Sequence, residues 1–283
     1  MRPLLIGCGI TTSAASSADP LAEALAAEAL GYDFLSASDH PVGSYPSYET
    51  TILLTWIAAH TNRIRIATRV LGVPFRRPAM IAKAAESLQR LTGGRLILGL
   101  GAGYSDEEIH ALGGPVMSRP AKVDGLADAI EILHRAWTEA TVTYHGVIHS
   151  VDALTMEPKP EQPIPVWLGT YGNRALAITG RLADGWIPSL GFAPPTRISE
   201  MIERIRTAAV AAGRAPNAVR AIYNVPVRLD PAARFVEDSV TGSAADIIEQ
   251  LHAFIELGFT GFNLMLTPDQ ARAVAEDVLP ALR

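Results

Sequence analysis

An acid and an imidazole stand side by side at Asp39-His40. Imidazole exchanges protons near neutral pH, and a neighbouring carboxylate can raise its pKa, so the pair suits acid–base work on a substrate. The stretch "GTYGNRAL" places Gly169, Thr170, Tyr171 and Gly172 where a helix begins. Free N–H groups and the positive end of a helix dipole can hold a phosphate there. Arg69, Arg76 and Arg77 are cations suited to an anionic ligand, although Arg76 and Arg77 also read as a solvated loop.

Gly99, Gly101 and Gly103 occupy every second position of "GRLILGLGAGYSDEE". A dinucleotide-binding turn needs G-x-G-x-x-G running straight into a helix, and Tyr104 stands where its last glycine belongs. Glycines two apart on a strand face one way, which leaves a bare side against which a flat ring could lie. Relief of crowding inside a barrel is the alternative reading of the same glycines.

The elements that must position these residues alternate. Apolar runs at 4–10, 32–40, 64–70, 95–101, 164–170, 184–189, 219–229 and 261–266 read as eight strands. Helical patterns separate them, beginning with one that Asp19 caps, Pro20 opens and Gly31 closes. Others cover 48–61, 119–138, 173–183 and 196–212. The helix opened by Pro78 carries Ile81, Ala84, Ala85, Leu88 and Leu91 on its apolar stripe and stops at Gly93-Gly94. Ser243 and Asp246 form a capping box ahead of a helix that ends at Gly258. After the helix at 119–138, "TVTYHGVIHSVDALTMEPKPEQP" predicts a hairpin insertion with a proline-rich return.

Eight apolar strands separated by helices predict a parallel sheet covered on its outside and closed as an α/β (β/α)8 TIM barrel spanning 1–283 as one domain. An open doubly wound sheet is the alternative. In a barrel, chemistry gathers at the C-terminal strand ends, which selects "SASDHP", "ATRVLGVP", "GAGYSDEE", "LGTYGNR" and "DGWIPS". Trp186, in the last of these, reads equally as a ligand contact or a core residue.

Composition narrows the classes. The 283 residues carry a net charge of -5, which gives no field attracting nucleic acid or anionic lipid. Lone Cys8 has no internal disulfide partner, and no signal peptide or membrane span is legible, so the expectation is a soluble cytoplasmic protein. His145 and His149 lie four apart, roughly 13 Å on an extended strand, too far to share an ion, and no metal site is expected. No G-x-S-x-G elbow or phosphate-binding G-x-x-x-x-G-K loop is present, and none of the three lysines falls at a strand end where a Schiff base would form. Arginine and alanine dominate over lysine, as in GC-rich genomes.

At "YDFLSASDH", "TNRIRIATRVLGVPFRRPAMIAKAAESLQRLTGGRLILGLGAGY", "IPVWLGTYGNRALAITGRLADGW" and "GSAADIIEQLHAFIELGFTGFNLML" the chain resembles the bacterial luciferase-like flavin and deazaflavin oxidoreductases. The resemblance implies that the mouth holds coenzyme F420, or alternatively FMN. His40 would transfer a proton or stabilise charge on the substrate, and Asp39 would contact the cofactor. Val70 and Leu71 match a bulge that backs the ring, with a non-proline cis peptide at Arg69-Val70. Arg69 and Gly72, which flank that bulge, would also contact the cofactor. Gly101, Ala102, Gly103 and Tyr104 would border the ring, and Gly169, Thr170, Tyr171 and Gly172 would hold the cofactor's phosphate.

Where F420-dependent sugar-phosphate dehydrogenases carry an acid after their G-x-G, this chain has Tyr104, a departure that argues against sugar-phosphate oxidation. The implied activity is hydride transfer between F420 and a small organic substrate. An FMN-dependent monooxygenase fed by a separate reductase is the alternative, followed by a non-catalytic flavin-binding relative. A homodimer is implied by likeness alone.

Overall fold

The computed structural model describes residues 3–232 and 238–283. Eight parallel strands close a barrel: β1 (Leu5–Gly9), β2 (Phe34–Ala37), β3 (Arg65–Thr68), β4 (Leu96–Gly101), β5 (Val166–Leu168), β6 (Gly185–Trp186), β7 (Arg220–Leu229) and β8 (Gly261–Met265). Each pairs with the next, β8 returns to β1, and the short β6 completes the ring on β7 through Arg220 opposite Gly185. The strands are buried on both faces, which is why they read as continuous apolar runs rather than alternating ones.

Helices α1 (Pro20–Ala29), α2 (Thr50–His60), α3 (Pro78–Leu91), α4 (Asp106–Ala111), α5 (Arg119–Thr138), α6 (Asn173–Leu182), α7 (Pro195–Ala211), α8 (Ala244–Glu256), α9 (Pro268–Asp277) and α10 (Leu279–Leu282) accompany it. Asp19 caps α1 through Ala22 N–H, and the Ser243/Asp246 box opens α8 as expected. No helix among the described residues is long and apolar enough to cross a membrane.

The stripe expected on α3 is rotated. Ala84 is exposed and Leu91 is 77% exposed, while Ile81, Ala82, Ala85, Leu88, Glu86 and Gln89 turn inward. The helix packs against α5, whose Trp137 indole donates to Ala82 carbonyl, and Gln89 bridges Pro163 carbonyl and Leu96 N–H. Polar side chains that satisfy backbone groups are as much at home on the inner face as leucines are.

The insertion is an antiparallel hairpin, Val142–His145 with Ser150–Leu154. Buried Asp128 of α5 fastens it by accepting from Tyr144 hydroxyl, Ile148 N–H and His149 N–H. His145 and His149 flank the tight turn, Gly146 N–H donating to His149 carbonyl, so the extended-strand spacing assumed above does not apply. Burial pushes the His149 pKa down.

The barrel's interior changes character along its axis. Phe34, Ala67, Ile97, Trp167, Ile187 and Ile222 form an apolar plug, with the Phe34 and Trp167 rings edge to face at 5.4 Å. Two residues further along each segment, on the same side of the pleat, come Ser36, Arg69, Gly99, Gly169, Ser189 and Asn224. Every plug position is thus succeeded toward the mouth by a polar or bare one.

Candidate active site at the barrel mouth

His40 follows β2 and Glu108 belongs to α4, the short helix after β4. Ser105 starts that helix by accepting from Glu108 N–H, and this cap aims the Glu108 carboxylate across the mouth. His40 Nδ1 lies 2.8 Å from Glu108 Oε1, and the imidazole side chain is 58% exposed against 16% for the glutamate. Glu108 Oε2 is buried without a hydrogen-bond partner among the described residues. A carboxylate on Nδ1 fixes the ring with its proton there and leaves Nε2 as the lone-pair nitrogen open to solvent. An acid therefore does stand at the mouth, four residues after Tyr104 and paired with His40. Sequence reading missed Glu108, although Ser105 followed by three acids was a legible helix start.

Asp39 faces inward rather than toward a ligand. Its side chain is 0% exposed, with Oδ2 accepting from Gly72 N–H and Arg76 and Oδ1 accepting from Arg76 at 2.9 Å. Arg76 also reaches Glu49 at 2.5 Å, so it is an ion-paired bracket rather than a solvated loop residue, while Arg77 is exposed. The implied direct contact of Asp39 with the cofactor is not what the geometry offers: the carboxylate anchors the segment that backs the mouth. That segment carries the cis Arg69-Val70 peptide and runs into Leu71–Gly72, which pairs with β4.

The glycines of β4 accommodate this bulge. A Cβ on Gly99 would lie 2.0 Å from Thr68 carbonyl oxygen, and one on Gly101 would lie 2.7 Å from Val70 Cγ2. The bare wall is filled by Val70, so a ring at the mouth would rest on Val70 and not on glycine backbone. Gly103 lies beyond the strand at φ +89° over Pro74, and Ala102 is half-buried against the core. A Cβ on Gly169 would meet Val70 from the other side, 3.3 Å from Cγ2.

The turn into α6 divides in two. Gly172 caps the helix with no side-chain hydrogen bond, so the first N–H groups have no side-chain acceptor, and nothing lies within 4 Å of where a Gly172 Cβ would be. Thr170 is buried, its hydroxyl 2.7 Å from Thr179 hydroxyl and its carbonyl accepting from Trp186 indole. Thr170 therefore braces the turn instead of lining it. Trp186 is a core residue, stacked near Phe259 at 6.0 Å. Tyr104, 81% exposed, approaches Phe192 at 5.9 Å, and Phe192 approaches Tyr171 at 5.4 Å. These three rings bridge the loops after β4, β5 and β6 beside the α6 N-terminus.

A further layer went unrecognised in the sequence. Arg69 Nε donates to Ser36 Oγ, Ser36 Oγ to Asn263 Oδ1, Asn263 Nδ2 to Asn224 Oδ1, and Asn224 Nδ2 to Ser189 Oγ. Single polar residues inside apolar strands, as in "AIYNVPV" and "GFNLM", were the available signal.

A family model described as luciferase-like monooxygenase matches residues 4–240. An F420-dependent glucose-6-phosphate dehydrogenase of Intrasporangium calvum is 28% identical over 310 aligned residues, covering 91% of this chain and 92% of that protein. One of Microbacterium testaceum is 31% identical over 210 residues, covering 72% of this chain and 62% of that protein. An F420-dependent secondary alcohol dehydrogenase, solved with an F420-acetone adduct, is similar in structure with a TM-score of 0.88 at 19% identity over 100% of both chains. At that identity the structural likeness speaks to the fold.

Proposed function

Because the chain belongs to the luciferase-like monooxygenase family, we propose that it is an oxidoreductase moving a hydride between coenzyme F420 and a small organic substrate, an alcohol in one direction and a carbonyl in the other. The observation that carries this reading is the His40–Glu108 pair at the mouth beside the Val70 bulge. The curated relatives named above, both F420-dependent dehydrogenases, support F420 over FMN.

The residues present fit such a cofactor. Val70 offers an apolar surface for a planar ring, and the uncapped N–H groups at Gly172 suit its phosphate. The Tyr104, Phe192 and Tyr171 rings flank the way between them. When bound, F420 supplies the hydride acceptor or donor. The chain's own part is positioning and proton movement. Nε2 of His40 takes the proton of a substrate hydroxyl as the carbon is oxidised, and Glu108 on Nδ1 steadies the imidazolium that results. In reduction the same nitrogen returns that proton to the nascent alkoxide. Val70 keeps water from the side of the ring that rests on it.

Steady-state assays with F420 and a panel of alcohols and sugar phosphates test this. His40→Asn and Glu108→Gln should each lower turnover by roughly 10²–10⁴-fold with F420 affinity unchanged. Turnover within a factor of two of wild type in both variants refutes the assignment. Oxygen uptake with reduced FMN and no F420 turnover would favour the monooxygenase alternative.

A further inference from the structure

Arg69 differs from three other cations near the mouth. Arg76 is matched by Asp39 and Glu49, Lys122 by Asp106, and Arg174 by Asp124. Arg69 has no carboxylate within ion-pairing distance among the described residues. Its Nε donates to Ser36 Oγ at 3.1 Å, and one terminal nitrogen lies 3.5 Å from the Met265 sulfur, a weak acceptor. The other terminal nitrogen lies beside Gly9, 3.8 Å from where a Cβ there would be. The side chains it contacts among the described residues, Ser36 and Met265, are neutral, and the Tyr171 phenol lies within electrostatic reach.

The position is not one that packing requires. Arg69 is the only cation among the described residues of the polar layer, one pleat above Ala67 of the plug, and its side chain crosses from the bulge toward β1 and β8. Removing a cation from bulk water without a counter-charge is costly, and burial pushes the Arg69 pKa down to about 10. A guanidinium prefers a planar anion that accepts two parallel N–H bonds. The α6 N-terminus, which has no side-chain cap, follows β5, and Tyr171 of the same turn lies within electrostatic reach of the guanidinium and favours its charged form.

We infer that Arg69 is the anion receptor of the mouth, holding a planar anion deep between β1, β2 and β8. That chemistry has two sources. One is a carboxylate on the organic substrate, which makes the substrate class a hydroxy or keto acid. The other is the negative charge that a reduced deazaflavin ring carries on its pyrimidine side. The inference rests on the mouth being the ligand site proposed above. It extends that reading by assigning the deepest contact to charge rather than to apolar fit.

The test uses wild type, Arg69→Met and Arg69→Lys. Thermal unfolding of the ligand-free proteins comes first. Removal of an uncompensated cation should leave the Tm of Arg69→Met unchanged or raised, whereas a structural pin would lower it by several degrees. Equilibrium dialysis with oxidised and reduced F420, and calorimetric titration of the F420-loaded protein with lactate and pyruvate against their amides, separate the sources.

If the anion is a substrate carboxylate, wild type prefers acid over amide by about tenfold or more, and Arg69→Met erases the preference while binding F420 normally. If it is the reduced ring, Arg69→Met weakens reduced F420 by about tenfold and leaves the oxidised form unchanged. Arg69→Lys should retain part of either effect. The inference is overturned if Arg69→Met matches wild type within a factor of two in every titration, or if its Tm falls and no affinity changes. Failure of wild type to bind F420 at all refutes the cofactor reading instead, and carboxylate preference in the free protein still reports on Arg69.

Discussion

The Asp39 carboxylate accepts from Arg76 through both oxygens and from Gly72 N–H, with none of the side chain exposed. Its neighbour His40 points the other way, into the mouth toward Glu108. Two adjacent residues thus divide their labour: one fixes the backing segment, the other faces the substrate. Asp39→Ala leaves Arg76 with Glu49 alone and orphans a buried N–H, so it should cost about 3–5 kcal/mol in denaturant unfolding. It should also loosen cofactor binding through the displaced segment. A loss of affinity without a loss of stability would mean that Asp39 touches the ligand directly.

At the scale of elements, β3 and β4 are fitted to one another by what β4 lacks. The glycines at 99 and 101 admit Thr68 carbonyl and the Val70 side chain at distances that no Cβ permits. Gly101→Ala should therefore push Val70 out of place and destabilise by about 1–3 kcal/mol. Val70→Ala in the same chain should recover part of that loss, because the clash is with a side chain rather than with backbone. A double-mutant cycle measures the coupling, and simple additivity of the two changes would contradict the fit.

The spacing of those glycines was plain in the sequence, but their partner was not. Whether a bare strand face meets a ligand or a neighbouring bulge depends on residues thirty positions away. Glu108 escaped notice for a local reason, since α4 is only six residues long and too short to show a periodic stripe.

Across the whole molecule, eight strand-and-helix units were legible because each strand is buried on both faces and each helix carries its own start and stop signals. The polar layer above the plug was harder to read. Ser36, Asn224 and Asn263 are single residues in apolar runs, and only closure of the barrel brings them into one hydrogen-bonded chain. The direction of Asp39 was equally hidden, because its partners Gly72 and Arg76 lie on the next strand's loop. Closure also brings His40, after β2, and Glu108, of α4, within hydrogen-bond distance, the pair on which the functional reading depends.

Titration of the purified protein with F420 and separately with FMN, following ring fluorescence, tests that reading most directly. Saturable one-to-one binding of F420, with FMN weaker by about tenfold or roughly 1.4 kcal/mol, is the predicted result. Saturation by FMN alone, or by neither compound, would contradict it.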